Sequence, residues 1–251
     1  MRSALTIAGS DSGGGAGVQA DLKTFAAHGV YGTCVITAVT AQNSTGVSMF
    51  EAMSTDLVTA QIEAVMTDFA AAAVQDLDIP YLVVDPVMIA KSGHRLLDDN
   101  ALGAMRAELL PRAFLVTPNI PEAEALSGLE IRTDEDRHEA ARRIAALGPT
   151  AVLLKGGHLP DARIRDLLYE GHTFTEFVHE RVPGSHTHGT GCTFSAALTA
   201  HLAHGRTLRD SIPLVQRYIA GAIRNAPHIG QGHGPMHHFW PNHDGRHGAA
   251  L

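Results

Sequence analysis

The sequence predicts an α/β protein. Short apolar runs alternate with segments of helical period along most of its length. Glycine-rich turns at 13–17 and 189–191 each lead into a helical segment. The 251 residues are enough for one α/β domain, or two small ones, around a sizeable core.

Taken in order, Ala4-Leu5-Thr6-Ile7-Ala8, closed by Gly9, reads as a buried strand. The loop Ser10-Asp11-Ser12-Gly13-Gly14-Gly15-Ala16-Gly17 follows, then Val18, Leu22, Phe25 and Ala26 at helical spacing. Its glycines let a group approach the backbone closely. The loop is not a dinucleotide fingerprint, because Val18 stands where the third glycine belongs, nor is it a P-loop. Asp21 lies one turn inside the helix, and alone it is most simply an acid favoured by the dipole. Residues 31–39 are β-branched and read as a second strand, which 40–46 leave as a polar loop. Gln42 in that loop offers paired amide hydrogen bonds, or is simply solvated. Ser54-Thr55-Asp56 caps a helix whose apolar face is Leu57, Ile62, Val65, Met66 and Phe69. Residues 70–77 are also helical in pattern, so two helical stretches run together with no strand between them.

Tyr81-Leu82-Val83-Val84-Asp85 is a buried strand ending in an acid, which suits Mg²⁺ or a phosphate network. Residues 98–110 read as helix and 113–117 as strand, and Pro118-Asn119-Ile120-Pro121-Glu122 opens another helix. Thr133-Asp134-Glu135-Asp136 has the form of a capping box for a helix to residue 147. Residues 151–154 form a buried strand ending in Lys155-Gly156-Gly157-His158, and a lysine with glycines at a strand end suits a phosphate. Residues 166–177 read as a hairpin around Glu170-Gly171 on an antiparallel edge. His188-Gly189-Thr190-Gly191-Cys192 turns into a helix over 192–202. A helix start presents unpaired amides and a positive dipole end, so it can hold an anion and lower a thiol's pKa. A small residue packing that helix on a sheet is the bland alternative. A closing helix over 208–225 points Leu214, Tyr218 and Ile223 inward, and the polar residues 242–251 read as a disordered tail.

Composition narrows the function. Hydrophobic content of 45%, charged content of 18% and a net charge of −7 describe an ordinary soluble globular protein, with no basic stripe for nucleic acid. The opening Met1-Arg2-Ser3-Ala4 reads as the approach to a strand rather than a secretory signal. Residues 29–50 carry no charge, but Gln42, Asn43, Ser44 and three glycines make them a poor membrane span. Cys34 and Cys192 have no paired spacing, which suits free thiols in the cytosol. Sixteen histidines show no metal-binding spacing and read as a scattered, solvated set. The Gly13 loop, Gln42, Asp85, Asn119 with Glu122, Lys155 and the 189–192 turn all stand at strand ends or a helix start. Together they suggest phosphoryl transfer: Mg²⁺ near acids, lysine on phosphate, an amide cradle for developing charge, and a base for a hydroxyl.

The motifs carry a resemblance. Ala8-Gly9-Ser10-Asp11-Ser12-Gly13-Gly14-Gly15-Ala16-Gly17, Thr40-Ala41-Gln42-Asn43, Asp85-Pro86-Val87-Met88, Lys91-Ser92-Gly93, Thr117-Pro118-Asn119-Ile120-Pro121-Glu122, Lys155-Gly156-Gly157-His158, Thr187-His188-Gly189-Thr190-Gly191-Cys192-Thr193 and Gly234-Pro235-Met236-His237-His238-Phe239 occur in this order. From residue 4 to 239 the chain resembles the hydroxymethylpyrimidine/phosphomethylpyrimidine kinases of the ribokinase-like superfamily. The resemblance implies a three-layer α/β/α fold with a mostly parallel central sheet, one kinase domain over 1–241, a cytoplasmic location and a homodimer. It implies that ATP, with Mg²⁺, phosphorylates 4-amino-5-hydroxymethyl-2-methylpyrimidine to its monophosphate and then its diphosphate, in thiamine diphosphate synthesis. Asp21 and Gln42 would hold the pyrimidine, with Gly9 and Val87 lining its pocket. Lys155, Asn119 and Thr190 would serve ATP, and Glu122 and Asp85 would hold Mg²⁺ through water. Gly189, Thr190 and Gly191 would form the anion hole, and Cys192 would be the base.

The chain departs from the family at 69–73, where the family places a strand and part of a helix with a Lys-x-Gly-Met-Leu-like motif. One strand and most of a helix come to roughly 15–20 residues. Either a sheet strand has been lost or residues are missing from the sequence as written. Losing a buried strand would unpair its neighbours, which favours the second. A pyridoxal kinase on the same scaffold and a catalytically silent pyrimidine sensor are the rival readings.

Overall fold

In a computed structural model the described residues are 1–70, 81–88, 99–157 and 162–243. The chain divides into two compact units, Met1–Ile79 with Val182–Leu251, and Pro80–Arg181.

In the first unit, β1 (Ser3–Asp11) pairs in parallel with β2 (Tyr31–Asn43), and β2 pairs antiparallel with β3 (Gly46–Ala52). Helix α1 (Gly17–Ala27) joins β1 to β2, and α2 (Thr55–Val65) follows β3. On the face of β1 that carries Ala4 and Thr6, α1 packs together with α6 (Thr190–Ala203) around Phe25, Val30, Ala196 and Ala200. The other face of β1 is open enough that Ile7 stays 49% exposed. Helix α7 (Leu208–Arg224) packs on α6, burying Leu208, Ile212, Val215, Tyr218, Ile219 and Ala222. Tyr218 points inward as expected, whereas Leu214 and Ile223 are half-buried flanks of that face.

The second unit holds β4 (Val83–Val84), α3 (Asp99–Ala104), β5 (Leu115–Val116), α4 (Ile120–Ser127), α5 (Asp134–Ala145), β6 (Ala151–Leu154), β7 (Arg163–Glu170) and β8 (Thr173–Glu180). Its five strands run in spatial order β4-β5-β6-β7-β8, parallel as far as β6 and antiparallel beyond. Val116, Val152, Leu154 and Leu167 from the sheet meet Ile120, Ala123, Leu126, Ala140, Ala141 and Ile144 from the helices. The hairpin turns at Gly171 and His172, both with positive φ, as a tight two-residue connection requires.

Several expectations need correction. Residues 40–43 are not loop: β2 runs to Asn43 and β3 begins at Gly46, so Gln42 sits on a strand. The parallel pairing expected of one central sheet holds in three of the six strand pairings, and the described strands form two sheets. Among the described residues β1 and β4 are both edge strands. In the sequence no strand-like run separates α2 from Tyr81. The proposed apolar face of α2 buries nothing: Leu57 is 48% exposed, and Ile62, Val65 and Met66 are half-buried. The helical pattern at 71–77, the Lys91-Ser92-Gly93 motif, His158, the side chain of Phe69 and residues 244–251 lie outside the described residues. Asn242 and His243, expected in the tail, complete the helical turn α8 (Trp240–His243). Nor are the histidines all solvated, because His28, His201 and His238 are buried. Among the described residues no helix is long and apolar enough to cross a membrane.

Candidate active site

The expected site residues fall into two polar clusters, one in each unit. In the first, Asp11 is 3% exposed and organises the glycine loop. Its carboxylate accepts from the amides of Gly13 (2.8 Å), Gly15 (3.0 Å) and Ala16 (2.8 Å), and from His188 Nε2 (2.9 Å). Burial alone would raise this carboxyl. The bonds from His188, Gly13 and Ala16, with the His188 charge, outweigh burial and hold it below its ordinary value. The loop amides are therefore turned onto the chain's own carboxylate. Gly9 lies against Gly17, which has φ +55°, and a Cβ there would collide with the Gly9 carbonyl.

The turn before α6 meets this loop. Gly189 is the N-cap with φ +78°, and a Cβ on it would strike the Gly15 carbonyl. Thr190 gives its hydroxyl to the Thr187 carbonyl (2.6 Å), so that side chain braces the turn. Gly191 and Cys192 follow in the first helical turn, where backbone amides lack intrahelical acceptors. Cys192 is half-buried and outside any disulfide. Gln42 reaches the same place: its amide lies 3.2 Å from His188 Nε2 and 3.3 Å from Thr40 Oγ1. Asp21 has a different neighbour, accepting the Thr6 hydroxyl at 2.6 Å, and it is the fifth residue of α1 rather than a first-turn acid.

The second cluster forms at the strand ends of the other unit. Lys155 Nζ lies 2.8 Å from Asp85 Oδ1, which also accepts from Thr117 Oγ1 at 3.2 Å. Asn119 pairs with Lys155 through the backbone and shares a capping box with Glu122, with bonds of 3.0 and 2.9 Å. Burial pushes the Glu122 carboxyl up to about 7. Lys155 opposes that, Asp85 adds to it, and the Asn119 and Met88 amides favour the ionised form. Asp85 Oδ2 is buried with no hydrogen-bond partner among the described residues. Two acids facing one lysine, with an orphaned oxygen and a carboxyl reluctant to ionise, fit a divalent cation. Among the described residues no three His, Cys, Asp or Glu side chains gather as a complete metal site, so such a cation would need oxygen ligands from water or substrate. Val87 is exposed, just beyond the tight turn in which its amide meets the Asp85 carbonyl (2.8 Å).

A family model described as "Phosphomethylpyrimidine kinase" matches residues 11–237. The chain belongs to this family. Relatives of the phosphomethylpyrimidine kinase chain include the "hydroxymethylpyrimidine/phosphomethylpyrimidine kinase" of Bacillus subtilis, 43% identical over 94% of each chain. That of Haemophilus influenzae is 46% identical over 95% of this chain and 97% of its own. The "thiamine biosynthesis bifunctional protein ThiED" of Geobacter sulfurreducens is 46% identical over 97% of this chain, which spans only 54% of that protein. Among solved structures, Staphylococcus aureus pyridoxal kinase in complex with AMP-PCP and pyridoxal aligns with a TM-score of 0.84 at 33% identity, over 97% of this chain and 95% of that one. The phosphomethylpyrimidine kinase of Clostridium difficile 630 aligns with 0.76 at 40%, over 89% of this chain and all of that one. The fold is thus the ribokinase-like α/β fold of these kinases. The Geobacter and Haemophilus alignments run to 262 positions, more than the 251 residues present here, so both relatives have residues that this chain lacks.

Sequence reasoning missed Asp11 and Thr117 as site residues. Asp11 carried a usable signal: an acid two positions before a glycine is the form of an Asx-turn, in which the side chain takes the amide two residues on.

Proposed function

We propose that residues 1–241 act as one kinase domain that transfers a phosphoryl group from ATP to 4-amino-5-hydroxymethyl-2-methylpyrimidine, and then a second to the resulting monophosphate. One observation carries the reading. The Lys155–Asp85 pair, with Glu122 raised to about 7 beside it, stands at strand ends in a chain that matches this family over 11–237. Lys155 and Asn119 would bind ATP, with Thr190 at the α6 turn. Asp85 and Glu122 would hold Mg²⁺ through water, and the ion would neutralise phosphate charge. Gly189, Thr190 and Gly191 would receive developing negative charge at the start of α6. Gln42 and Asp21 would bind the aminopyrimidine, with Gly9 and Val87 against the ring. Cys192 would take the hydroxyl proton in the first transfer, whereas the second nucleophile is a phosphate that needs no base. A cytoplasmic homodimer belongs to the same reading, and β3, with Met49 and Phe50 exposed, offers apolar surface for a second copy.

The structural neighbours favour one alternative, pyridoxal as the substrate. Mass spectrometry of products from ATP, Mg²⁺ and either the pyrimidine or pyridoxal separates the two. Pyrimidine diphosphate is the expected product, and pyridoxal phosphate alone would transfer the chain to the alternative. In the same assay Cys192→Ala is expected to slow the first transfer about 100-fold and the second much less. Equal losses would remove Cys192 as the base.

A further inference from the structure

The contacts around His188 cannot all be made with the Gln42 amide in one of its two orientations. With the amide nitrogen toward His188 and the oxygen toward Thr40, the His188 end fails and the Thr40 end is weak. His188 Nε2 lies 2.9 Å from the Asp11 carboxylate, so its proton goes there and Nε2 has no lone pair for the Gln42 amide nitrogen at 3.2 Å. The one Thr40 hydroxyl proton lies nearer the Ser10 carbonyl at 2.9 Å, so the Gln42 oxygen at 3.3 Å receives only a weak share of it. Turning the amide by half a revolution repairs both. The carbonyl then accepts from His188, and the NH₂ donates to Thr40. Donors then run from Gln42 through Thr40 to Ser10, and the one His188 Nε2 proton is shared between the Asp11 carboxylate and the Gln42 carbonyl in a three-centre bond.

We propose that His188, anchored by Asp11, is a specificity-determining positioning residue that fixes which end of the Gln42 amide is donor and which is acceptor. Gln42 is half-buried, and this arrangement leaves it one lone pair and one N–H for a ligand. An amide of fixed hand distinguishes a 4-aminopyrimidine from its 4-oxo counterpart. The amino form offers a donor beside a ring-nitrogen acceptor, and the oxo form offers the reverse. A freely turning amide would accept both. The anchor is stiff: His188 donates its backbone amide to the Gly234 carbonyl, and its ring fills the space where a Cβ on Gly15 would lie. The proposal rests on the aminopyrimidine reading and adds what enforces it.

The test compares 4-amino- and 4-oxo-5-hydroxymethyl-2-methylpyrimidine, by kcat/KM and by calorimetric Kd, in wild-type, His188→Ala, His188→Gln and Thr40→Val proteins. The wild type should prefer the amino form by at least about tenfold. His188→Ala should bring the ratio to within about threefold while leaving the KM for ATP in place. His188→Gln, which keeps a donor for Asp11, should restore part of the ratio. Thr40→Val removes the other end's partner without disturbing a β-branched strand position, and decides the matter should His188→Ala not fold. Its ratio should fall at least about threefold. A wild-type ratio retained in the folded variants overturns this inference and leaves the kinase reading standing. Wild-type protein that neither binds nor phosphorylates either pyrimidine overturns both.

Discussion

At Glu122, a proton and a cation compete for one carboxyl. Its folded pKa of about 7 lies above the ordinary 4.5, so the folded chain keeps a proton there that the unfolded chain releases. The stability this group contributes is full below 4.5 and is lost as pH rises to about 7. Above that, an ionised Glu122 burdens the fold and a bound cation relieves it. Mg²⁺ should therefore raise Tm more at about pH 8 than at about pH 6, and Glu122→Gln, which can keep the capping box, should abolish the difference. An equal rise at both pH values would take Glu122 out of the cation site. His201 poses the opposite case. Both its ring nitrogens are buried without partners among the described residues. Burial, with the charges of His28, Arg206 and His204, lowers its pKa to about 3, and burial likewise lowers His238 to about 4. A histidine kept neutral contributes stability above its ordinary 6.5 that is lost as pH falls toward 3. His201→Leu should stabilise the protein by about 1–3 kcal/mol near neutrality and flatten the acid limb of its stability curve. An unchanged limb in urea titrations would place the proton uptake elsewhere. The burial of His201 was not legible in the sequence, where it was one of many histidines, because the His28 ring that meets it edge-on is brought there by the fold.

Elements carry the most readable part of the chain. Thr133 and Asp136 form the capping box their spacing announced, with bonds of 3.1 and 2.9 Å. Thr133→Ala should cost about 1 kcal/mol in chemical denaturation and leave turnover unchanged. A loss of turnover would show that α5 does more than support the sheet. The Asn119–Glu122 box shows the limit of such reading, because the same two residues also border Lys155 and Asp85. Spacing reveals the cap, and only the neighbouring strand ends reveal the charge. β3 was missed because its exposed residues Met49, Phe50, Glu51 and Ala52 show no alternation of apolar and polar side chains. What makes it a strand is its ladder to β2.

For the molecule as a whole, helix α2 presents a bare surface among the described residues. Helix α2 is held to β2 by Gln61, which bonds the Ile36 amide and carbonyl at 3.0 and 3.1 Å, yet none of its residues is buried. Helix α6 buries most of its length. Hydrogen exchange should therefore be at least about tenfold faster in α2 than in α6. Equal protection would mean that something covers α2. The sequence by itself determined what short-range chemistry specifies: the caps, the Gly171 turn, the glycine turns and the lysine and acid at strand ends. It also showed that no strand-like run stands between α2 and Tyr81, because a strand pattern is local. Only the tertiary structure decided what Asp11 and His188 do. Their bond joins residues 177 positions apart, and the glycine-loop amides are taken by a carboxylate rather than left for a ligand. Hydrogen-bond partners that meet through folding have no signature in the sequence around either of them.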